Sequence, residues 1–368
     1  MNLQAEGYTR EQIQSALFSS TRKIRYEYMA LSSLGKYLGF VEIQNGRVSF
    51  DSESEVMRTF SGTIKENDVI NFNLIDAQIV PYMCVMMFNG KEARFPLGKF
   101  IVSFSKKSSN NINELDVTGY DLGKIALDDK TGTRYFADSE TAYTTSLNNL
   151  LESLYSSIEI EDSDLFKNFA QDWEIGTTKI EIANSLLKAM NYNPLHFDEN
   201  GTAICNQYVS AQYRTIDFQY IADKTSVIID NMSVESNKFN IPNKWIRYTE
   251  NPEVDYLISV YVNDDPNSPY STVNRGRIIV DSEVVEDIAD QNTLDSYLTR
   301  VVDKSMQAVD RVQFTTLNMP GHGFQECLWL SVPNYDIEGK YIEKAWEMEL
   351  KPGGTMTHVC ERAVILWA

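Results

Sequence analysis

In Lys99-Phe100-Ile101-Val102-Ser103-Phe104-Ser105, the apolar side chains of Phe100, Val102 and Phe104 recur at every second residue. Successive side chains of a strand point to opposite faces of its sheet, so this period commits the segment to a strand with one buried face. Pro96-Leu97-Gly98 stands just ahead of it, and a residue with fixed φ and no N–H belongs where a ladder is about to start. Phe100, Val102 and Phe104 are therefore core candidates, and Ile101, Ser103 and Ser105 occupy the opposite face. The period recurs. Ile24, Tyr26 and Tyr28 alternate with Lys23, Arg25 and Glu27, and Val41-Glu42-Ile43 faces Arg47-Val48-Ser49-Phe50 across Asn45-Gly46. Asn-Gly is the strongest short hairpin signal, because both turn residues need φ > 0. Asn89-Gly90 repeats it between 83–88 and 91–95. Residues 22–129 thus read as a mostly antiparallel β unit, a barrel or a sandwich.

After Asp129 the spacing becomes helical. Tyr143, Leu147, Leu150, Leu151, Leu154, Tyr155 and Ile158 form one stripe, and Ile180, Ala183, Leu186, Leu187 and Met190 form another that ends at Asn193-Pro194. His196-Phe197 and Ala203-Ile204 then flank a turn at Asp198-Glu199-Asn200-Gly201. Strands resume over 214–221, 245–249, 257–262 and 276–280. A late helix follows behind Asn292 as its cap, carrying Leu294, Tyr297, Leu298, Val301, Ser305, Ala308 and Val309. Alternating segments close the chain around 326–331, 341–350 and 356–365. The expected fold is α+β, with residues 1–21 as a peripheral arm whose helix has capping-box spacing at Thr9 and Gln12, and 22–129 as a first β-rich domain. Residues 130–235 form a helical and mixed insertion, and 236–368 a second β-rich domain containing helix 292–310.

A length of 368 residues asks for more than one small core. No run approaches the ~20 apolar residues that span a bilayer, and residues 1–10 lack the basic-then-apolar pattern of a secretory leader. Cys84, Cys205, Cys327 and Cys360 are scattered without CxxC spacing, which fits packed thiols in a reducing compartment. The formal charge of −19 excludes phosphate neutralisation as a main task and so excludes sequence-specific nucleic-acid binding.

Chemistry has little to hold on to. His196, His322 and His358 are the three imidazoles. His358 and Cys360 share one strand face, with His322 and Cys327 in a nearby segment, but the spacing is not specific and ordinary packing is the better reading; no metal site is expected. Asp198–Gly201 and Asn263-Asp264-Asp265 lack the alternate acids and distant bidentate Glu of a calcium loop. There is no GxSxG, Walker loop or HExxH, and neither a catalytic residue nor a cofactor is expected. Trp173, Trp245, Trp329, Trp346 and Trp367 sit in apolar or strand-like settings that suit a core better than a sugar platform.

Taken in order, "SSTRKIRYEY", "FPLGKFIV", "VTGYDLGKIALDD", "IPNKWIRY", "NRGRIIVDSEV", "TLNMPGHG" and "WEMELKPGGTMTHVCERAV" resemble the baseplate hub proteins of long-tailed phages and contractile injection particles, over about residues 22–362. The resemblance implies two β-barrel-like tube domains per subunit and three subunits in a pseudo-sixfold ring. That ring adapts a hexameric tail tube to a threefold spike while DNA passes through. It implies a structural virion protein of the tail baseplate, assembled in the host cytoplasm. Its partners would be itself as a homotrimer, a tail tube or distal tail protein, a spike or tip protein and a tape-measure protein. In such a ring Ile101, Ser103 and Ser105 would face the lumen or a neighbouring subunit. Two other readings compete: a tail-tip protein that binds carbohydrate or degrades cell wall, and a spike base of type VI secretion kind.

Overall fold

The computed structural model describes residues 3–363, except 4, 6, 72–73, 75–76, 107–112, 168, 237, 251–255, 286 and 308–309. Ala308, Val309 and Trp367, read above as helix stripe and core, lie outside the described residues. The amino-terminal helix α1 (Arg10–Leu17) starts in a complete capping box. The Thr9 hydroxyl accepts from the Gln12 N–H, and the Gln12 side chain accepts from the Thr9 N–H. Its Ile13, Ala16 and Leu17 are buried in the main core, so the expected peripheral arm is a packed element.

Eight strands follow, interrupted once by a helix. They are β1 (Ile24–Leu31), β2 (Tyr37–Val41), β3 (Ile43–Asp51), β4 (Arg58–Lys65), α2 (Glu66–Asn71), β5 (Gln78–Met86), β6 (Glu92–Pro96), β7 (Phe100–Lys106) and β8 (Glu114–Tyr120). Asn89-Gly90 makes the expected hairpin, with Met83 opposite Phe95 and Met86 opposite Glu92. Asn45-Gly46 does not. It lies inside β3, where Asn45 takes φ 52° and the register against β4 slips between Gln44 and Arg47. The left-handed residue serves a β-bulge instead of a turn. A Cβ on Gly46 would stand 2.2 Å from the Tyr28 hydroxyl and 3.3 Å from the Leu350 Cβ, so the bulge needs glycine there. Pro96 likewise ends β6, opposite Tyr82, and does not open β7.

The second unit holds α3 (Gly123–Asp128), β9 (Tyr135–Ala137), α4 (Tyr143–Leu151), β10 (Ile158–Ile160), β11 (Gln171–Trp173), α5 (Lys179–Ala189), β12 (His196–Phe197) and β13 (Ala203–Cys205). It has its own core around Leu147, Leu151, Ile182, Leu186 and Leu187. Helix α4 stops at Leu151, short of the expected stripe. Leu154 and Tyr155 still pack on the same core, and Ile158 enters β10 opposite Ala203. Helical spacing shows which residues share a core, not where the backbone stops being helical.

Two strands, β14 (Phe218–Ile221) and β15 (Ile228–Ser236), then return to the first unit's sheet. The next excursion builds a small sheet of β16 (Lys244–Tyr248), β17 (Ile258–Val262) and β18 (Val280–Val284), with α6 (Thr272–Arg275) between the last two. Long helix α7 (Gln291–Gln307) covers one face of it through Leu298, Val302 and Met306, which pack against Trp245. Asp290, not Asn292, caps α7 by accepting from the Thr293 N–H at 2.7 Å. The chain ends in β19 (Asp310–Leu317), β20 (Cys327–Val332), β21 (Ile337–Leu350) and β22 (Thr355–Arg362).

The fold is α+β and mostly antiparallel, as expected. Its principal sheet has 14 strands, along the path β15-β19-β22-β21-β3-β4-β8-β7-β5-β1-β2, with β20 and β14 attached through β21 and β6 through β5. The two strand-rich regions are joined where β21 pairs with β3, and there the Trp346 and Phe50 rings stack at 5.9 Å. No helix among the described residues is long and apolar enough to cross a membrane.

Candidate functional site

Strand β7 behaves as its period requires. Phe100 and Val102 are buried in the main core and Phe104 packs against it. On the other face Ile101 packs against the core of the helical unit, whereas Ser103 and Ser105 are exposed. The same parity holds on the neighbouring strands, because Val117, Phe60, Val48, Met356 and Phe314 all point inward. The register fixes the outward residues. Ser103 lies opposite Thr118 of β8, Thr118 opposite Ser61 of β4, Ser49 of β3 opposite Glu347 of β21, Glu347 opposite Thr357 of β22, and Thr357 opposite Thr315 of β19. A band rich in small hydroxyls, interrupted by Arg47 opposite Ser61 and by Glu347 opposite Ser49, therefore crosses the outer face of the sheet. Arg47, the cation within it, is held by Glu347 at 2.6 Å and Glu349 at 3.5 Å. Such a surface offers hydrogen bonds to water and little positive charge to a phosphate chain.

The sheet path ends at β2 and β15 among the described residues, and both ends carry exposed apolar side chains: Tyr37 and Phe40 on β2, Val234 on β15. An end strand keeps a row of unpaired backbone donors and acceptors that can template another strand.

Beneath this face, titratable side chains are buried. His322 precedes β20, Glu343 lies on β21 and His358 on β22, and all three side chains are fully enclosed. The Nδ1 of His322 is 2.6 Å from one oxygen of Glu343, and the Nδ1 of His358 is 2.5 Å from the other. Each remaining ring nitrogen meets a hydroxyl: Tyr220 at 2.9 Å for His322, Thr316 at 2.8 Å for His358. Burial pushes the Glu343 carboxyl up, but its interactions with His322, and then with His358, outweigh it and hold the group at about 2. Burial holds His358 below the usual imidazole range. The two histidines weighed together in the sequence do meet, and Glu343, not a cysteine, lies between them. Cys327 sits in a separate cluster with Ala211 and Ile342, and Cys360 packs in the main core. Glu343 could have been found from a break of parity: Tyr341 and Glu343 point inward, a bulge intervenes, and then Trp346, Met348 and Leu350 point inward.

The third imidazole, His196, is stacked on Phe324 at 4.2 Å and its Nδ1 donates to the Pro194 carbonyl at 2.8 Å. All three imidazoles are buried, and the Nε2 atoms of His322 and His358 are taken by the Tyr220 and Thr316 hydroxyls. Burial raises all four thiols, Cys84 to about 11 and Cys205 to about 12, which removes them as ready nucleophiles. Asp198 accepts from the Asn200 and Thr202 N–H groups, a turn and not a calcium loop. Trp245 and Trp346 are buried and Trp173 and Trp329 are half-buried, so none of these four forms an open sugar platform.

Burial lowers His196 to about 4. Its neutral form is the folded one, so the unfolded chain binds more protons, and stability is fully present above the unfolded value near 6.5 and declines as pH falls toward 4. The drop amounts to about 3 kcal/mol at ~1.4 kcal/mol per unit. His196→Asn keeps a donor near Nδ1 without the titration. Its urea midpoint should fall less steeply than that of the native chain between pH 6.5 and 4.5; parallel curves would contradict the assignment.

No family model and no curated protein matches the sequence. Solved structures do match. A tail protein from Neisseria meningitidis superposes with a TM-score of 0.67 over 92% of this chain and 97% of its own, at 12% identity. A prophage tail protein from Shewanella oneidensis gives 0.62 over 92% and 98%, at 9% identity. The chain has the fold of phage tail proteins. A prophage tail protein from Listeria monocytogenes agrees, with a TM-score of 0.55 over 90% and 94% at 11% identity. The likeness to phage tail proteins read from the motifs is thus met at the level of fold.

Proposed function

We propose that the chain is a structural subunit of a phage-tail baseplate hub. Three copies would close a ring that adapts a hexameric tube to a threefold spike and lets DNA through. The observation that carries this reading is the conjunction, on one tail-protein fold, of a hydroxyl-rich sheet face with end strands, β2 and β15, that expose apolar side chains. The ring places the band containing Ser61, Ser103 and Thr118 on the lumen. There, small neutral groups let a polyanion slide, and the formal charge of −19 per subunit repels it from the walls. The role is passive: the enclosed imidazoles and raised thiols described above support a chain without catalytic activity. The tube, spike and tape-measure proteins would be its partners, and the virion its location.

Light-scattering mass and electron-microscope class averages, taken with and without the tube protein, test the ring. Threefold or pseudo-sixfold rings are expected, and a solitary globule in both preparations would overturn it. For the lumen, Ser103→Lys with Thr118→Lys adds two cations to the band. Reconstituted particles should eject DNA several-fold more slowly at low salt and recover at high salt, where the screening length shrinks to about 3 Å at 1 M. Ejection at the native rate in low salt would remove this face from the channel.

A further inference from the structure

We propose that His322, Glu343 and His358 form a buried site for one divalent transition-metal ion, with four donor atoms: Nδ1 of each imidazole and both oxygens of Glu343. The donors come from three different parts of the chain and already converge: one ligand atom from each of the three residues lies within 4.8 Å of the other two, and each Nδ1 already touches a Glu343 oxygen. Two imidazoles and a carboxylate are the ligands that zinc and its neighbours take, whereas calcium and magnesium prefer oxygen alone. The surroundings fit as well. A metal-bound imidazole is normally oriented by a hydrogen bond from its other nitrogen, and here Tyr220 and Thr316 occupy those positions at 2.9 and 2.8 Å.

Charge supplies the second argument. A fully enclosed carboxylate needs a compensating cation. The Arg58 guanidinium reaches the His322 carbonyl at 3.3 Å, not the carboxylate. A divalent ion between neutral imidazoles and the carboxylate supplies that charge. Metal–ligand bonds of about 2.0–2.2 Å at a tetrahedral angle place neighbouring donors roughly 3.4 Å apart, so the N–O separations of 2.6 and 2.5 Å would open by about 0.8 Å as the two imidazoles and the carboxylate draw back around the ion. The ion would cross-link the loop before β20 to β21 and β22, directly under the hydroxyl band. Because the site has no opening, it would be filled as the chain folds.

Full-length protein is produced in zinc-supplemented and, separately, cobalt-supplemented cells, purified without chelator and analysed by elemental mass spectrometry. About one metal per chain is expected, with visible ligand-field absorption for the cobalt form, and loss of both in His322→Gln and His358→Gln but not in His196→Asn. Less than about 0.1 equivalents in the native chain from both media would overturn the site, whatever the variants do. So would a stoichiometric metal that both glutamine variants retain. Metal content is measured on the isolated chain, so its failure leaves the ring reading untouched.

Discussion

Arg58→Ala is expected to destabilise the fold by about 4–6 kcal/mol. Arg58 is among the largest fully buried side chains, lying where β4, the loop before β7 and the loop before β20 meet. Its guanidinium donates to the Leu97 carbonyl at 3.2 Å and to the His322 carbonyl at 3.3 Å. It also lies 5.7 Å from the centres of the Phe50 and Trp346 rings, the pair that joins the two halves of the large sheet. Truncation leaves two buried carbonyls unpaired, at about 1–3 kcal/mol each, and a cavity of roughly 80–100 Å³ at ~24 cal/mol per Å³, or about 2 kcal/mol. Removing a desolvated charge works the other way and keeps the total from being larger. Arg58→Met refills the space without restoring the hydrogen bonds, so it should recover the cavity part alone. The urea midpoint should drop by about 1–2 M for alanine and by roughly half of that for methionine. A midpoint unmoved by Arg58→Ala would show that this arginine does not hold the halves together.

The importance of Arg58 illustrates what the sequence could and could not disclose. Period-2 patterns carry their own evidence, because exposure alternates within a single strand. That is why Phe100, Val102 and Phe104 were placed inward, and Ser103 and Ser105 outward, from seven residues of text. Helix α7 was legible for the same local reason, its stripe being long and unbroken. What stayed hidden is non-local. Nothing near residue 346 says that it will stack on residue 50, and nothing near residue 58 says that a carbonyl at 322 awaits its side chain. Segment 214–221 reads as a strand but falls in the expected 130–235 insertion, as does most of 228–236, yet their hydrogen-bond partners are β20 and β19 of the principal sheet, some 74 to 110 residues on.

The Asn45-Gly46 error has a different origin. Asn-Gly reports a need for positive φ, and a bulge satisfies that need as well as a turn does. The choice depends on whether a partner strand continues past the site. Here β4 does, pairing Thr63 with Gln44 before the bulge and Ser61 with Arg47 after it. The histidine cluster was half legible: two of its members were singled out as imidazoles on adjacent segments, but a bulge in β21 was needed to bring Glu343 between them.

Placing lysines on both sheet ends, Tyr37→Lys with Val234→Lys, should weaken ring assembly at least about 100-fold, near 2.7 kcal/mol per joint, and leave the isolated fold almost unchanged. Both side chains are exposed, at 55% and 48%, and exposed substitutions usually move stability by no more than about 0.5 kcal/mol. Tyr37 also meets the Phe40 ring edge-on at 6.0 Å, so a further ~0.5–1 kcal/mol of local loss is allowed for. Electrostatics sharpens the test. Two added cations make a chain of −19 less negative, which reduces repulsion between copies and by itself would favour association. A loss of rings therefore cannot come from overall charge. It must come from the strands that β2 and β15 would otherwise pair with, where a lysine blocks edge-to-edge joining. The mass distribution across a dilution series, alone and with the tube protein, reads the effect directly. Rings that survive at native concentrations would mean the copies are joined by some other surface, and the open ends of this sheet would then need a different partner.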